Sequence, residues 1–473
     1  MQMLNPSNHS RMLHRLLKTL AVCFVGTGSL ISTASALAWQ NPEVSDRVLT
    51  STPEISADSP VQGNLDSKTQ PRWYKGNLHT HSLWSDGNNF PETIIAWYRD
   101  NDYQFLALTE HNRIAEGERW MSQKEIDQRS HSLAIPAAKK RFGEDWVELR
   151  GDQEAGTAEV RLKTLSEIRP MFESLEEFLL IQAEEITDSV GKSPVHMNAT
   201  NLQKLILPAG GRTVKEAMSN NMRATLEQSE KTGKPILLHL NHPNFGWGVT
   251  ADDLASVSQI RFFEAFNGHP GVNHTGDANH PSIEKLWDIA NTLRLKKYGG
   301  KPVFGLGTDD SHHYFGKGTS RFGRGWVHVR ATSLSSEALL EAFDKGDFYT
   351  SSGVSLKSLT LNDKTISVAI DADPQAHYVI QLIATPKDVS TQTTPIVDDE
   401  GQPIQNLVRH SDEIGKVMRT IEGTEATFTC QDDWLYARVV ITSDQTPTDP
   451  AYDGQKQQAW LQPFGWTELQ DAE

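Results

Sequence analysis

The sequence predicts an α/β protein: a barrel of short parallel strands and helices, followed by a small antiparallel β domain. Three observations predict it. From Trp73 to about Gly353, apolar runs of strand length alternate with helical periodicity, the pattern of parallel β/α units. About seven such strands are enough to close on themselves. After Ser355 the texture changes to short alternating segments separated by turn residues, as in a β-sandwich.

The elements follow in order. In residues 1–38, Arg11, Arg15 and Lys18 precede an apolar stretch softened by Gly, Ser and Thr, and Ala36-Leu37-Ala38 offers a small-residue cleavage site. This is the pattern of a secretory signal peptide rather than of a membrane span, which needs about 20 strongly apolar residues. Residues 39–71, rich in Ser, Pro, Asp, Gln and Asn, read as a flexible tether. Strands are expected at 76–81, 104–109, 179–186, 235–240, 261–266, 302–307 and 326–331, and helices at 91–100, 213–231, 282–297 and 335–345. Residues 113–170 break the rhythm. They are highly charged, with a helical stretch near 123–141, and read as an insertion that either lines the barrel's rim or stands out in solvent. The C-terminal strands are expected at 357–361, 366–370, 378–383, 425–429, 436–441 and 460–461. The expected domains are thus 72–353 and 354–473, consistent with a length of 473 residues.

Composition excludes several partners. The formal net charge is −16, from 45 basic and 61 acidic residues. That disfavours tracking a nucleic-acid backbone, which needs a basic stripe, and equally an anionic membrane surface. No segment after the leader is apolar enough to span a membrane. Cys23 lies in the leader, so only Cys430 remains and no intramolecular disulfide is expected.

Thirteen of the 17 histidines lie between His79 and His328, within the expected barrel. Neutral imidazole is the commonest ligand of zinc and similar ions, so this concentration points to metal. Five clusters carry the signal. In Gly76-Asn77-Leu78-His79-Thr80-His81, two histidines two apart face the same side of a strand, and Asp86 follows in Ser85-Asp86-Gly87. The others are Thr109-Glu110-His111-Asn112, Glu184-Glu185-Ile186-Thr187 with His196 after it, His239-Leu240-Asn241-His242-Pro243, and Asp309-Asp310-Ser311-His312-His313. Each closes an expected strand, which in a β/α barrel gathers them at one rim.

These motifs resemble the PHP (polymerase and histidinol phosphatase) superfamily, whose members open with H-x-H-x4-D and continue to a terminal D-x-H. The likeness spans roughly residues 73–353. The later Gly346-Asp347-Phe348-Tyr349-Thr350-Ser351-Ser352-Gly353, the leader and the β tail look like the secreted CehA/McbA-type metallohydrolases, named for carbaryl hydrolase. The resemblance implies a distorted (β/α)7 barrel with two to three divalent ions (Zn, Mn or Fe). It implies that His79, His81, Glu185 and Asp310 hold the first ion, that Glu185 bridges to a second completed by His196 and His242, and that Asp86, His111 and His312 hold a third. Glu110 stands where the family usually has Asp, and the insertion lengthens the gap from His111 to Glu185.

The activity so implied is hydrolysis, by a water that the ions acidify. The favoured substrate is a small phosphate mono- or diester, with Glu185, Asp310 and His242 catalytic. Arg113, Lys192 and Asn112 are then expected to bind substrate, with Lys317 and Arg321 as further rim cations. The alternative is a carbamate, amide or ester hydrolase, with Trp84, Trp120, Phe245, Trp247 and Tyr314 as candidate aryl contacts; a third reading is a non-catalytic binding protein. His239, His269, His274, His280, His313 and Asp309 are left without an assigned role.

Overall fold

The structure is a computed structural model that describes residues 70–315 and 319–467. The leader, nearly all of the tether and Lys317 lie outside them. No helix among the described residues is long and apolar enough to cross a membrane.

The chain begins with β1 (Arg72–Asn77), α1 (Pro91–Asp100) and β2 (Phe105–His111). The insertion follows as β3 (Arg119–Ser122), α2 (Gln123–Ser130), α3 (Ala134–Phe142), β4 (Leu149–Arg150), β5 (Glu159–Leu162) and α4 (Leu165–Phe172). The α/β pattern resumes with β6 (Leu179–Val190), β7 (Ser193–Thr200), α5 (Val214–Thr232), β8 (Leu237–Leu240), α6 (Ala251–Ser256), β9 (Phe262–Asn267), α7 (Ile283–Leu293), β10 (Phe304–Thr308), β11 (Trp326–Ala331), α8 (Ser336–Lys345) and β12 (Phe348–Ser351). Fully buried strands read as continuous apolar runs; β2 and β10 do so until their last residues, whereas β8 and β9 carry His239 and Glu264 inside theirs. The helices start where a hydroxyl can accept an orphan amide: Thr213 caps α5, Ser282 caps α7 and Ser335 caps α8.

The sheet differs from the expected barrel in two ways. Its direction is mixed. β1, β2 and β6 are parallel neighbours, as are β8, β9 and β10, but β7 runs antiparallel to both β6 and β8. The cause is the two-residue turn Gly191-Lys192, with Gly191 at φ 63°, which can only return the chain antiparallel. Nor does a continuous ladder close on itself. The order runs β10-β9-β8-β7-β6-β2-β1-β11-β12 and onward, so β10 ends one side. Its rim end meets the extension of β1 through a single bridge, Thr80 to Ser311, flanked by Asp310 N to His79 O (3.0 Å) and His81 N to Ser311 O (3.0 Å).

The tail adds β13 (Leu356–Asn362), β14 (Thr365–Ile370), β15 (Tyr378–Pro386), β16 (Thr394–Val397), β17 (Pro403–Arg409), β18 (Lys416–Glu422), β19 (Glu425–Thr429), β20 (Trp434–Ser443) and β21 (Gln458–Leu461). β21 pairs with β12, so β15, β18, β20 and β21 extend the main sheet across the expected boundary at 353. The three-stranded sheet β13-β14-β19 shares a core with them, through Ile366, Val368, Ile380, Leu382, Val439 and Ile441. A buried bidentate pair joins the tail to α7: Arg438 donates to Asp288 at 2.8 and 2.7 Å.

The insertion packs against α1 and the turn that follows β1 and is no solvent excursion. Ile126, Ile135, Val160, Leu162 and Ile168 share a core with Trp84, Phe90 and Ile94. Its expected single helix is two, because His131 and Ser132 adopt φ 54° and 60°, where a helix cannot continue. Trp84 Nε1 donates to Lys163 O (2.9 Å) and Arg129 Nη1 to Ser85 O (2.7 Å). The insertion thereby clamps the turn that carries Asp86.

Candidate metal centre

His79 and His81 do not lie on β1 as expected but just beyond it. The ladder gives way at Asn77, whose amide accepts from His79 N (3.0 Å) and donates to Gly325 O (2.9 Å). The segment stays extended because Thr80 bonds Thr109 Oγ1 (2.9 Å) and Ala107 O (2.8 Å). The two-residue spacing therefore still sends both imidazoles to the same side, and both are wholly buried.

The nine ligand candidates come together at the rim. His79 Nε2 lies 3.6 Å from Glu185 Oε2 and 3.3 Å from Asp310 Oδ1; His81 Nε2 lies 3.4 and 3.3 Å from the same two atoms. On the other oxygen, Glu185 Oε1 is 3.0 Å from His196 Nδ1 and 3.7 Å from His242 Nε2. A third group surrounds Asp86, whose oxygens lie 3.5 Å from His111 Nε2 and 3.4 Å from His312 Nε2. His81 stands between first and third groups, with Nδ1 3.9 Å from Asp86 and its ring stacked on His312.

These separations fit ions. Tetrahedral ligands held at about 2.0–2.1 Å from zinc stand roughly 3.4 Å apart. His79 Nε2 and both nitrogens of His81 are buried and have no hydrogen-bond partner, while Glu185 Oε2 lies 2.7 Å from His111 Nδ1 and Glu185 Oε1 3.0 Å from His196 Nδ1. Buried polar atoms are otherwise almost always satisfied, so this concentration of orphans fits a shared cation. The same groups shift one another's proton affinity strongly. Burial opposes charge on Glu185, yet His111, His196 and His79 hold it well below the usual carboxylate range. Burial likewise opposes charge on His111, but Glu185 and Asp86 raise it to about 11. Burial and the neighbouring His312 and His111 push His81 down to about 3, the neutral form a ligand needs.

The backbone is bent to make this arrangement. His242 and Asp310 sit at φ 23° and 48°, where few side chains other than glycine are comfortable. Such strain persists only where surrounding structure imposes it, and it collects at functional sites. Gly87 is required for closeness: a Cβ there would lie 2.5 Å from the carbonyl oxygen of His81. Glu110 accepts from Ser82 N (3.1 Å) and from the hydroxyls of Ser82 and Ser85. The longer acid thus holds the Asp86 turn and leaves His111 Nδ1 to Thr187 Oγ1 at 2.6 Å and Glu185 Oε2 at 2.7 Å.

Several contributors were not legible beforehand. Glu264, wholly buried in β9, receives His79 Nδ1 (2.7 Å), Thr308 Oγ1 (2.7 Å), His242 N (2.8 Å) and Asn267 Nδ2 (2.8 Å). A proton on His79 Nδ1 leaves Nε2 free to ligate. His79, His239 and Glu264 also form a close group, but His79 Nδ1 is already bonded to the carboxylate, so Glu264 acts as an orienting partner. Asn241 Nδ2 donates to Glu185 Oε1 (2.8 Å), and Asn267 Nδ2 to Asp310 Oδ2 (3.1 Å). A carboxylate in an otherwise apolar strand, Phe262-Phe263-Glu264-Ala265-Phe266, was the available signal.

The expected substrate contacts fare differently. Arg113 is exposed beside His111 and Asn112. Asn112 uses both ends of its amide on the backbone of Thr187, at 2.8 and 3.0 Å. Lys192 sits exposed at the β6–β7 turn, four residues from His196 and so about 13 Å along the strand. Arg321 pairs with Asp449 at 3.2 Å. Of the five candidate aryl contacts, Phe245 flanks the site, 5.1 Å from His242 and 6.4 Å from His196. Trp84 and Tyr314 are buried in packing, Trp247 stacks on His280 and Trp120 beneath Arg150.

No family profile matches the chain, and no curated protein does. Two solved structures are similar. One is a two-domain protein from Bacteroides vulgatus containing a predicted PHP-like metal-dependent phosphoesterase (15% identity, 86% of this chain, 100% of that one, TM-score 0.36). The other, from Bifidobacterium adolescentis, is provisionally assigned as a metal-dependent phosphoesterase (12% identity, 42% of this chain, 79% of that one, TM-score 0.20). Likenesses this distant carry neither fold nor function, and both rest on the geometry above.

Proposed function

We propose that the chain is an exported metal-dependent phosphoesterase of the PHP type, acting on small phosphate mono- or diesters. The observation that carries this reading is the sharing of Glu185. Its two oxygens face two different histidine groups, and a third group around Asp86 adjoins them. A row of adjoining cation pockets suits a phosphoryl group, whose several oxygens carry charge, better than a single carbonyl oxygen.

In this reading roughly two to three divalent ions are held as the motifs imply. His79, His81, Glu185 and Asp310 hold the first. Glu185, His196 and His242 hold the second, and Asp86, His111 and His312 the third. Bound there, such ions supply Lewis acidity and acidify water near neutral pH. The chain's own residues do the rest. Glu264, Asn241 and Asn267 fix the orientation of His79, Glu185 and Asp310. Phe245 walls the side of His242 and His196 against water. The Asp86 and His111 side, with side-chain exposures of 54% and 26%, is the mouth through which substrate enters.

The test is a side-by-side assay of the purified, manganese- or zinc-loaded protein. It compares p-nitrophenyl phosphate, its bis-ester and an aryl N-methylcarbamate, with Asp310→Ala as the blank. Faster turnover of a phosphate ester is expected. Faster turnover of the carbamate contradicts the reading and makes the chain a carbonyl hydrolase.

A further inference from the structure

One histidine outside the ligand set borders the metal centre. His269 follows the end of β9 by two residues and is half-buried. Its ring meets Phe245 edge to face at 5.7 Å between centroids and His312 edge to face at 5.9 Å. Phe245 lies 5.1 Å from His242. His269 thus bridges the wall beside His242, in the second ligand group, and His312, in the third.

The loop that carries it is pinned on three sides. His269 N donates to Asn267 Oδ1 (2.7 Å), and Asn267 Nδ2 donates to Asp310 Oδ2 (3.1 Å). Gly268 N donates to Thr308 O (2.9 Å), and Gly268 O accepts from Nη1 of the buried Arg324 (2.8 Å). A Cβ on Gly268 would lie 2.6 Å from Asp309 O, so glycine is what lets the loop pass this close to the segment bearing Asp310. Val272 forms an antiparallel bridge with Phe245. A side chain fixed in this way loses little freedom when it meets a ligand.

The loop also sets the tautomer. Gly271 N donates to His269 Nδ1 at 3.0 Å. A ring nitrogen that accepts carries no proton, so the neutral ring keeps its proton on Nε2. Among the described residues, Nε2 has no hydrogen-bond partner. A protonated nitrogen has no lone pair for an ion, so His269 suits a hydrogen-bond donor and not a tenth ligand. The ligand set consists of imidazoles and carboxylates whose free atoms face one another. His269 adds to its border a neutral, preorganised N–H, the kind of group that stabilises charge on a reacting oxyanion.

We propose that His269 is a substrate-binding residue whose Nε2–H donates to an oxygen of the phosphoryl group held at the metal centre. The proposal rests on the phosphoesterase reading for the identity of that group.

The test uses the metal-loaded protein and compares the wild type with His269→Phe, which keeps a ring against Phe245 but has no donor, and His269→Gln, which keeps a donor. Calorimetry reads orthophosphate affinity, and kcat/KM is measured for p-nitrophenyl phosphate. Ions per chain and melting temperature are recorded beside them. His269→Phe is expected to lower both affinity and kcat/KM about tenfold or more at unchanged ion content, and His269→Gln to keep part of each. Affinity and kcat/KM both unchanged in His269→Phe overturn the proposal. A loss that follows falling ion content makes His269 a ligand and also overturns it, as does a wild type that binds no orthophosphate. His269→Ala, which leaves the loop's backbone bonds in place, reports if His269→Phe fails to fold. A wild type that binds orthophosphate but turns over no phosphate ester sinks the phosphoesterase reading, while the affinity series still decides the role of His269.

Discussion

The inner and outer halves of the histidine–carboxylate cluster are built by different means. The inner half, His79, His81, Glu185, His242 and Asp310, is buried, with Glu185 inside β6 and the others just past β1, β8 and β10, and partners fix three of its members: Glu264 on His79, Asn241 on Glu185 and Asn267 on Asp310. The outer half, Asp86, His111 and His312, rides on a turn, the last residue of β2 and a loop, and is partly open to solvent. Its supports are hydroxyls and an insertion: Ser82, Ser85, Thr187 and Arg129. The difference teaches how one site can both retain ions and admit substrate. Preorganised buried donors hold tightly, and an open rim exchanges.

The comparison can be broken most severely at Asp310, which faces His79, His81 and His242. Asp310→Ala is expected to lose more than the 10–100-fold typical of an outer partner, in both turnover and ion content by mass spectrometry. Turnover at the wild-type rate would show that the inner half is not the catalytic one. Glu264→Gln should weaken ion retention about 10–100-fold, read by dialysis against graded chelator, while the Asp86 group keeps its affinity. An equal loss in both halves would mean that Glu264 supports the fold rather than His79.

Smaller effects sharpen the outer half. Ser85→Ala removes one hydrogen bond to Glu110, a change on the order of 1 kcal/mol, or about fivefold in the affinity of the outermost ion alone. An unchanged titration would dissociate the turn from the ion. Least of all is the effect at His274, which joins the β9 loop to the tail by stacking on Tyr452 at 4.8 Å. Burial pushes its pKa down to about 4, against the pull of the Asn267 carbonyl. The folded state therefore keeps His274 neutral while the unfolded chain takes up a proton. Its contribution to stability is full above about pH 6.5 and is lost as pH falls toward 4. His274→Gln should flatten the fall in melting temperature over that window; an equally steep fall would exclude His274 as its source.

Much of this was legible because it is local. The limits of α1 and β11 coincide with the sequence expectation, since a proline start and clean alternation define them. The motif clusters were expected to close strands, and the chain gathers all nine ligand candidates, although Glu185 and His196 lie inside the β6–β7 hairpin rather than at a strand end. What was not legible is set by partners distant in sequence. Glu264 reads as one acid in an apolar strand until His79, 185 residues away, is placed beside it. The direction of β7 hangs on a Gly-Lys turn whose residues carry a weak signal. Strands β16, β17 and β18 went unseen; β18 in particular presents polar side chains to solvent and follows no clear alternation.

The central claim is that buried imidazoles and carboxylates at one rim form a multi-ion hydrolytic centre. The most direct measurement strips the protein with a chelator, returns manganese in steps, and records ions per chain beside p-nitrophenyl phosphate turnover. The account predicts no turnover in the stripped protein and recovery that saturates at roughly two to three ions per chain. Full turnover in protein shown to be free of metal would contradict it.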